Sequence, residues 1–290
     1  MIPKFISPML LKRTPSPLSS KNFLAEPKID GIRGLFVYQE SQAQLWSRHQ
    51  TNITNQFPEL CIKPAAADSV ILDGEVAMYN PAQSDFDFDG VMDRFRLKNE
   101  LKIKLAAERS PAAFLAWDIL FYNGQDLRML PLYKRKDILN EILVEHSSLS
   151  KVISIPGIQG LNLANQIMER DWEGCVFKEI ESSYQTGKRS DQWLKWLNYK
   201  SKIVYITGIR KKKFGWMLGS EHAGKLQPAG LLELGTSEVS RSEVWQLARK
   251  SILKEDSSFY YLEPDIKIQV KYVRLTRNGY MRTPSFQRIC

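Results

Sequence analysis

The stretch Glu26-Pro27-Lys28-Ile29-Asp30-Gly31-Ile32-Arg33 constrains this chain more than any other. It sets two acids, a lysine, a glycine and an arginine between apolar runs, Phe23-Leu24-Ala25 before and Leu35-Phe36-Val37-Tyr38 after. Asp30-Gly31 is a turn signal, so the stretch reads as strand, tight turn, strand. Rigid elements on both sides can hold Lys28 at a pocket mouth, where burial or nearby cations turn an ammonium into a nucleophilic amine. Taken alone, Lys-x-Asp-Gly describes a charged surface hairpin better than it describes a nucleophile. The rest of the chain has to decide.

At 290 residues there is room for two domains, and 43% hydrophobic with 25% charged residues argues against wholesale disorder. A net charge of +9 favours a polyanionic partner. Cys61, Cys175 and Cys290 are too scattered for a disulfide framework or a metal cluster, which fits reduced intracellular thiols. With no apolar leader and no bilayer-spanning stretch, a soluble cytoplasmic protein without a membrane partner is expected.

Residues 1–21, rich in Pro and Ser, are expected to lie as an extended leader against the first domain. Strands and helices then alternate irregularly to Tyr199. Val70-Ile71-Leu72 leads into Asp73-Gly74-Glu75, and residues 113–122 form a long apolar and aromatic strand. Pro131 opens a helix with Ile138, Leu139, Ile142 and Leu143 on its buried face. A second helix covers residues 163–170, and strands return at 173–178 and 193–197. From Lys200 onward, short strands punctuated by glycine, with one helix near 243–250, suit a small β-barrel of the OB type. The expected architecture is α+β, with a mixed domain over 1–199 and a barrel domain over 200–290. Lys211-Lys212-Lys213 beside Phe214-Gly215-Trp216 is the densest basic run and, on a barrel, points towards nucleic acid. Asp85-Phe86-Asp87-Phe88-Asp89-Gly90 opens like an EF-hand loop, but Arg96 stands where the bidentate glutamate is required. The phenylalanines between the acids suit a strand with one buried face, and calcium is rejected.

Five stations fall in order: Lys28-Ile29-Asp30-Gly31-Ile32-Arg33, Asp73-Gly74-Glu75, the Trp117-Asp118 strand, Glu173-Gly174 and Trp193-Leu194-Lys195. In this order and spacing they resemble the covalent nucleotidyltransferases, most closely the ATP-dependent DNA ligases. Ser47-Arg48 also fits, as does Arg282-Thr283-Pro284-Ser285-Phe286, which is similar to the Arg-x-Pro-x-Phe segment of the ligase OB domain. The resemblance covers nearly the whole chain from Met9 onward. It implies a nucleotidyltransferase domain of ATP-grasp-like antiparallel sheets with helices, followed by an OB-fold domain. It also implies a three-step reaction on ATP and nicked duplex DNA. Lysine attacks the α-phosphorus and pyrophosphate leaves; AMP passes to a 5′-phosphate; the adjacent 3′-hydroxyl displaces AMP.

At an ordinary pKa near 10.4, about one lysine in a thousand is neutral at pH 7.5. Lowering it to about 7–8 costs roughly 4 kcal/mol, which a divalent metal and Lys195 are expected to supply. Carried over residue by residue, the resemblance implies that Lys28 is the nucleophile and that Glu26 reads the adenine amino group. Arg33 offers a forked donor to ribose or phosphate. Arg48 contacts the nucleotide or the nick 5′-phosphate, and Lys195 neutralises phosphate charge. Asp30 shapes the turn. Glu75 and Glu173, hard oxygen donors at strand ends, suit Mg2+ or Mn2+ held partly through water. Trp117 stands where the family usually has a phenylalanine against adenine. An aromatic in such a strand is otherwise core, and stacking on the base would contribute about 1–3 kcal/mol. Arg48, Lys211, Lys212 and Lys213 are the candidates for DNA contact.

Two departures stand out. Leu197 replaces the second lysine of the family's Lys-x-Lys, leaving Lys200 or Lys178 as stand-ins. The Arg-x-Asp-Lys element that orients the leaving pyrophosphate is absent before Arg288-Ile289-Cys290, with Arg282 or Arg288 as its candidates. With 27 residues ahead of Lys28, no large N-terminal DNA-binding domain is expected. Grip on DNA then falls to the two domains of a monomeric bacterial or phage enzyme. The rivals are an RNA ligase or GTP-using capping enzyme of the same superfamily, and a nucleic-acid-binding protein that kept the fold and lost catalysis.

Overall fold

The computed structural model describes residues 3–64 and 67–290, and the chain divides into two units, Met1–Trp196 and Leu197–Cys290. The first unit opens with strands β1 (Leu10–Arg13), β2 (Phe23–Pro27), β3 (Ile32–Gln39), β4 (Gln42–Ser47) and β5 (Val70–Ala77). A short pair, β6 (Tyr79–Asn80) and β7 (Asp85–Phe86), leads to helices α1 (Phe88–Arg96) and α2 (Glu100–Arg109). Next come β8 (Ala113–Tyr122), β9 (Gln125–Asp126), α3 (Leu132–Ile142), β10 (Leu149–Lys151) and β11 (Ile155–Pro156). Helix α4 (Gly160–Glu169) and strands β12 (Gly174–Glu179) and β13 (Arg189–Leu197) complete it.

Two sheets carry this unit, one in the order β1-β13-β12-β2-β11 and one in the order β10-β8-β5-β3-β4, with β9 beside β8. β2 and β3 therefore lie in different sheets, and residues 28–31 cross between them instead of closing the expected hairpin. The reason is that both edges of β3 are taken, by β4 and by β5, so β2 pairs with β12 and β11. Gly31 is required there by space and not by turn geometry: a Cβ would sit 2.3 Å from the Val76 carbonyl oxygen. Residues 70–77 form one fully buried strand, which puts Glu75 inside a strand and not at its end. The N-terminal leader contributes β1, which runs parallel to β13.

The Asp/Phe run is strand only at Asp85–Phe86. Asp87 then caps α1, its carboxylate accepting a hydrogen bond from the Gly90 amide at 2.9 Å. Phe88, Val91, Met92 and Phe95 recur at i, i+3, i+4 and i+7, a helical period that outweighs the alternation read from the sequence. Helix α2, also unforeseen, is capped by Asn99, which accepts from the Lys102 amide. Helix α3 follows Pro131, and its buried face holds Leu132, Leu139 and Ile142 together with two cations, Arg135 and Lys136. Arg135 makes a two-pronged ion pair with Asp118 of β8 at 2.8 and 2.9 Å, both side chains fully enclosed.

The second unit contains β14 (Lys200–Arg210), β15 (Trp216–His222), β16 (Lys225–Leu232), α5 (Glu238–Ala248), β17 (Ile252–Glu255), β18 (Phe259–Leu262), β19 (Lys267–Tyr272) and β20 (Ser285–Ile289). Its seven strands pair antiparallel throughout, with β14 bonded to β15, β18 and β19. Val204, Ile206, Trp216, Leu218, Ile268 and Val270 fill its core. Among the described residues, no helix is long and apolar enough to cross a membrane.

Candidate active site

Pairing of β2 with β12 sets Cys175 opposite Pro27, and the Lys28 amide donates to the Gly174 carbonyl at 2.8 Å. Two stations 145 residues apart are thereby joined, and Lys28 Nζ donates to Glu173 Oε2 at 2.9 Å. Glu75 arrives from β5, where it pairs with Arg33 across the sheet. Burial alone would lower the Lys28 pKa, but Glu173, then Glu75 and Asp30, outweigh it and raise it above the ordinary value. The protein's own groups thus act against the expected lowering, because three carboxylates face the ammonium and stabilise its charged form. Burial pushes the Glu75 carboxyl up to about 8; Lys28 and Arg33 pull it down, while Glu173 and Asp30 add to the rise. Lys195 is lowered by burial and then by the charge of Lys28.

Lys28 opens onto a cleft of about 460 Å³, within the size range of nucleotide pockets. Glu26, Arg33, Arg48, Glu75, Trp117 and Lys195 all line it. Trp117 has its indole N–H buried without a hydrogen-bond partner. Arg33 and Lys178 lie 5.3 and 5.1 Å from its ring centre. Phe88, Met92 and Phe95 of the unforeseen helix α1 also line the cleft, as does Arg189. Their signal was the helical spacing of the aromatics; an isolated Arg189 carries none.

Two lining residues are engaged differently from the expectation. Arg33 does not hold its fork free: Nε and Nη2 donate to the two oxygens of Asp73 at 3.1 and 2.7 Å. Asp73 also accepts from the Tyr184 hydroxyl at 2.8 Å, and that hydroxyl accepts from the Met9 amide at 3.0 Å. This buried carboxylate needs donors, and Arg33 of the neighbouring strand is in reach. Glu26 is gripped by cations. Its Oε1 accepts from Lys136 and, at 2.7 Å, from the Ser154 hydroxyl, while Oε2 lies 2.7 Å from Lys178 Nζ. Burial opposes its charge, but Lys136 and Lys178 outweigh burial and hold it down at about 2. Burial, aided by Lys136 and opposed by Glu26, pushes Lys178 down to about 8. The sequence signal of Lys136 is a lysine on the apolar stripe of a helix.

Glu75 and Glu173 supply hard oxygens close enough to Lys28 to act on its charge. Among the described residues, no group of three or more His, Cys, Asp or Glu forms a metal cage. Two carboxylates fit Mg2+ or Mn2+ of the kind completed by substrate phosphates and water. Leu197 is buried at the end of β13. Of its two stand-ins, Lys178 is engaged by Glu26 and Lys200 begins β14. In the second unit, Lys211 pairs with Glu255 at 2.8 Å and Lys213 with Glu233 at 3.4 Å, so much of that basic run is internally compensated. Arg288 donates to Gln269 at 2.7 Å.

A family model described as ATP dependent DNA ligase domain matches residues 8–196. The SPbeta prophage-derived DNA ligase-like protein LigB of Bacillus subtilis (strain 168) is 33% identical over 285 residues, 98% of each chain. The bifunctional non-homologous end joining protein LigD of the same organism is 29% identical over 94% of this chain. This chain spans 47% of that protein. Among solved structures, a Lig E DNA ligase is similar in fold, with a TM-score of 0.68 and 16% identity over 98% of this chain and 99% of that one. The ligase domain of M. tuberculosis LigD gives 0.59 and 23% over 98% and 95%.

Proposed function

This chain belongs to the family of ATP-dependent DNA ligases, enzymes that join DNA ends, and from that premise we propose that it seals nicks in duplex DNA through a lysine–AMP intermediate. The observation that carries the reading is the 2.9 Å contact between Lys28 Nζ and Glu173 Oε2 beside a cleft of nucleotide size. Glu173 holds the amine in place until the nucleotide enters. Lys28 Nζ, once deprotonated, attacks the α-phosphorus of ATP; the phosphoramidate bond forms and the bond to pyrophosphate breaks. The DNA 5′-phosphate then takes AMP from Lys28, and the 3′-hydroxyl attacks that phosphorus and expels AMP. Glu26 and Trp117 take the base, Arg33 the ribose side, and Arg48 and Lys195 the phosphates. Glu75 and Glu173 would hold Mg2+ or Mn2+, which supplies charge neutralisation at the phosphates when bound.

The second unit serves as an OB-fold domain that adds grip on DNA, with Lys212 less compensated than Lys211 and Lys213. The enzyme acts as a monomer. Incubation with labelled ATP, GTP or NAD and Mg2+, followed by mapping of the adduct and assay of a nicked duplex, tests the reading. Labelling of Lys28 by ATP with sealed nicks is expected. Labelling by GTP alone would shift the assignment to capping chemistry, and no adduct with intact DNA binding would make it a non-catalytic relative.

A further inference from the structure

We propose that Lys136 is a positioning residue for recognition of the nucleotide base, fixing Glu26 so that its Oε2 and the Lys178 ammonium form an acceptor–donor pair matched to the Watson–Crick edge of adenine. The inference rests on the reading of the cleft as an ATP site.

Lys136 comes from α3, which carries none of the family stations, and it stands behind Glu26 without lining the cleft. A carboxylate oxygen has two lone pairs. Those of Glu26 Oε1 are filled by Lys136 Nζ and the Ser154 hydroxyl. Oε2 has Lys178 Nζ 2.7 Å away, a contact that can use one of the three ammonium donors and leaves the others for a ligand. Glu26 and Lys178 both line the cleft. Lys178 is further held by two indoles, with Nζ 5.1 Å from the Trp117 ring centre and 4.6 Å from that of Trp193.

The cleft therefore presents one acceptor next to one donor. Adenine carries the complement, an N6 amino donor next to the N1 acceptor. Guanine carries the reverse, an O6 acceptor next to an N1–H donor. Its O6 would face Glu26 Oε2 and its N1–H would face the Lys178 ammonium, leaving buried polar groups unpaired on both sides. The order depends on Lys136. Without it, Glu26 can turn to take both oxygens onto Lys178, which draws Oε2 and two of the three ammonium donors away from the base.

The test follows single-turnover self-labelling with ATP and with purine riboside triphosphate, which lacks the 6-amino group, reading kcat as the saturating rate and KM as the half-saturating concentration. Lys136→Met is expected to raise the KM for ATP with a smaller change in kcat, and to lower the preference for ATP over purine riboside triphosphate about tenfold. Lys136→Arg should restore most of that preference. A preference ratio does not depend on the fraction of folded protein. Ser154→Ala, at a half-buried position, removes the other Oε1 donor and should move the ratio the same way, about threefold. Unchanged ratios in the variants, or a loss of kcat with the preference intact, overturn the proposal. Wild-type protein that fails to label with ATP at all would instead sink the ATP reading on which it rests.

Discussion

Lys28 Nζ and Glu173 Oε2 meet at 2.9 Å across 145 residues of sequence, and Gly174 holds the lysine's own amide. One backbone hydrogen bond and one ion pair thus set the position of the amine before any nucleotide arrives.

Lys28→Ala is expected to abolish covalent AMP labelling and to leave thermal unfolding close to wild type, since the side chain is only partly enclosed. Mass spectrometry of the labelled wild type checks the site; an adduct on a different lysine would overturn the assignment.

Glu173→Ala should cost far more labelling and sealing than Glu169→Ala. Glu173 touches Lys28, whereas Glu169 is exposed at the end of α4. Equal losses in parallel assays would remove Glu173 from the site.

Gly31→Ala forces a methyl group to within 2.3 Å of the Val76 carbonyl and 2.9 Å of Glu75 Cγ. A loss of about 1–3 kcal/mol in urea unfolding is expected from such overpacking. Labelling should fall with it, because the displaced side chain is Glu75. A variant with wild-type stability and activity would mean the crossing has slack.

Arg135→Met leaves Asp118 charged and enclosed, at a cost of about 3–5 kcal/mol. Replacing both, as Arg135→Met with Asp118→Leu, should recover most of that loss, because no uncompensated charge remains. Urea midpoints of the two variants decide between an ion pair that stabilises on balance and one that must merely not be broken.

Nick affinity should fall steeply with salt, at a log–log slope of about −0.9 per phosphate contact. Changing Lys211, Lys212 and Lys213 together to alanine should soften that slope by about one contact and not three, since Glu255 and Glu233 already face the outer two. A change near three contacts would show that the acids release both lysines to DNA.

The residues that gather at the candidate site were legible in the sequence because each is carried by residue type at short range. Lys28 between Glu26 and Asp30-Gly31, the Asp73-Gly74-Glu75 run, and Glu173 before a strand each advertise their groups within a few positions. The fold was legible where period was strong, as in the long strand Ala113–Tyr122 and the helix after Pro131. The strand read over residues 85–90 exists only at Asp85–Phe86; from Phe88 the aromatics join a helical stripe that Asp87 capping favours.

Which group each side chain would meet was decided only in three dimensions. Arg33 gives its fork to Asp73, 40 residues away, and Glu26 meets Lys136 across 110 residues. The crossing at residues 28–31 exists because β3 has no free edge, a fact about its neighbours and not about Asp30-Gly31. Local sequence specifies the propensity and the polarity of a strand. The partner of a buried charge depends on which distant strand or helix lies alongside it, and a desolvated carboxylate such as Asp73 or Glu26 binds the cations that packing brings within reach.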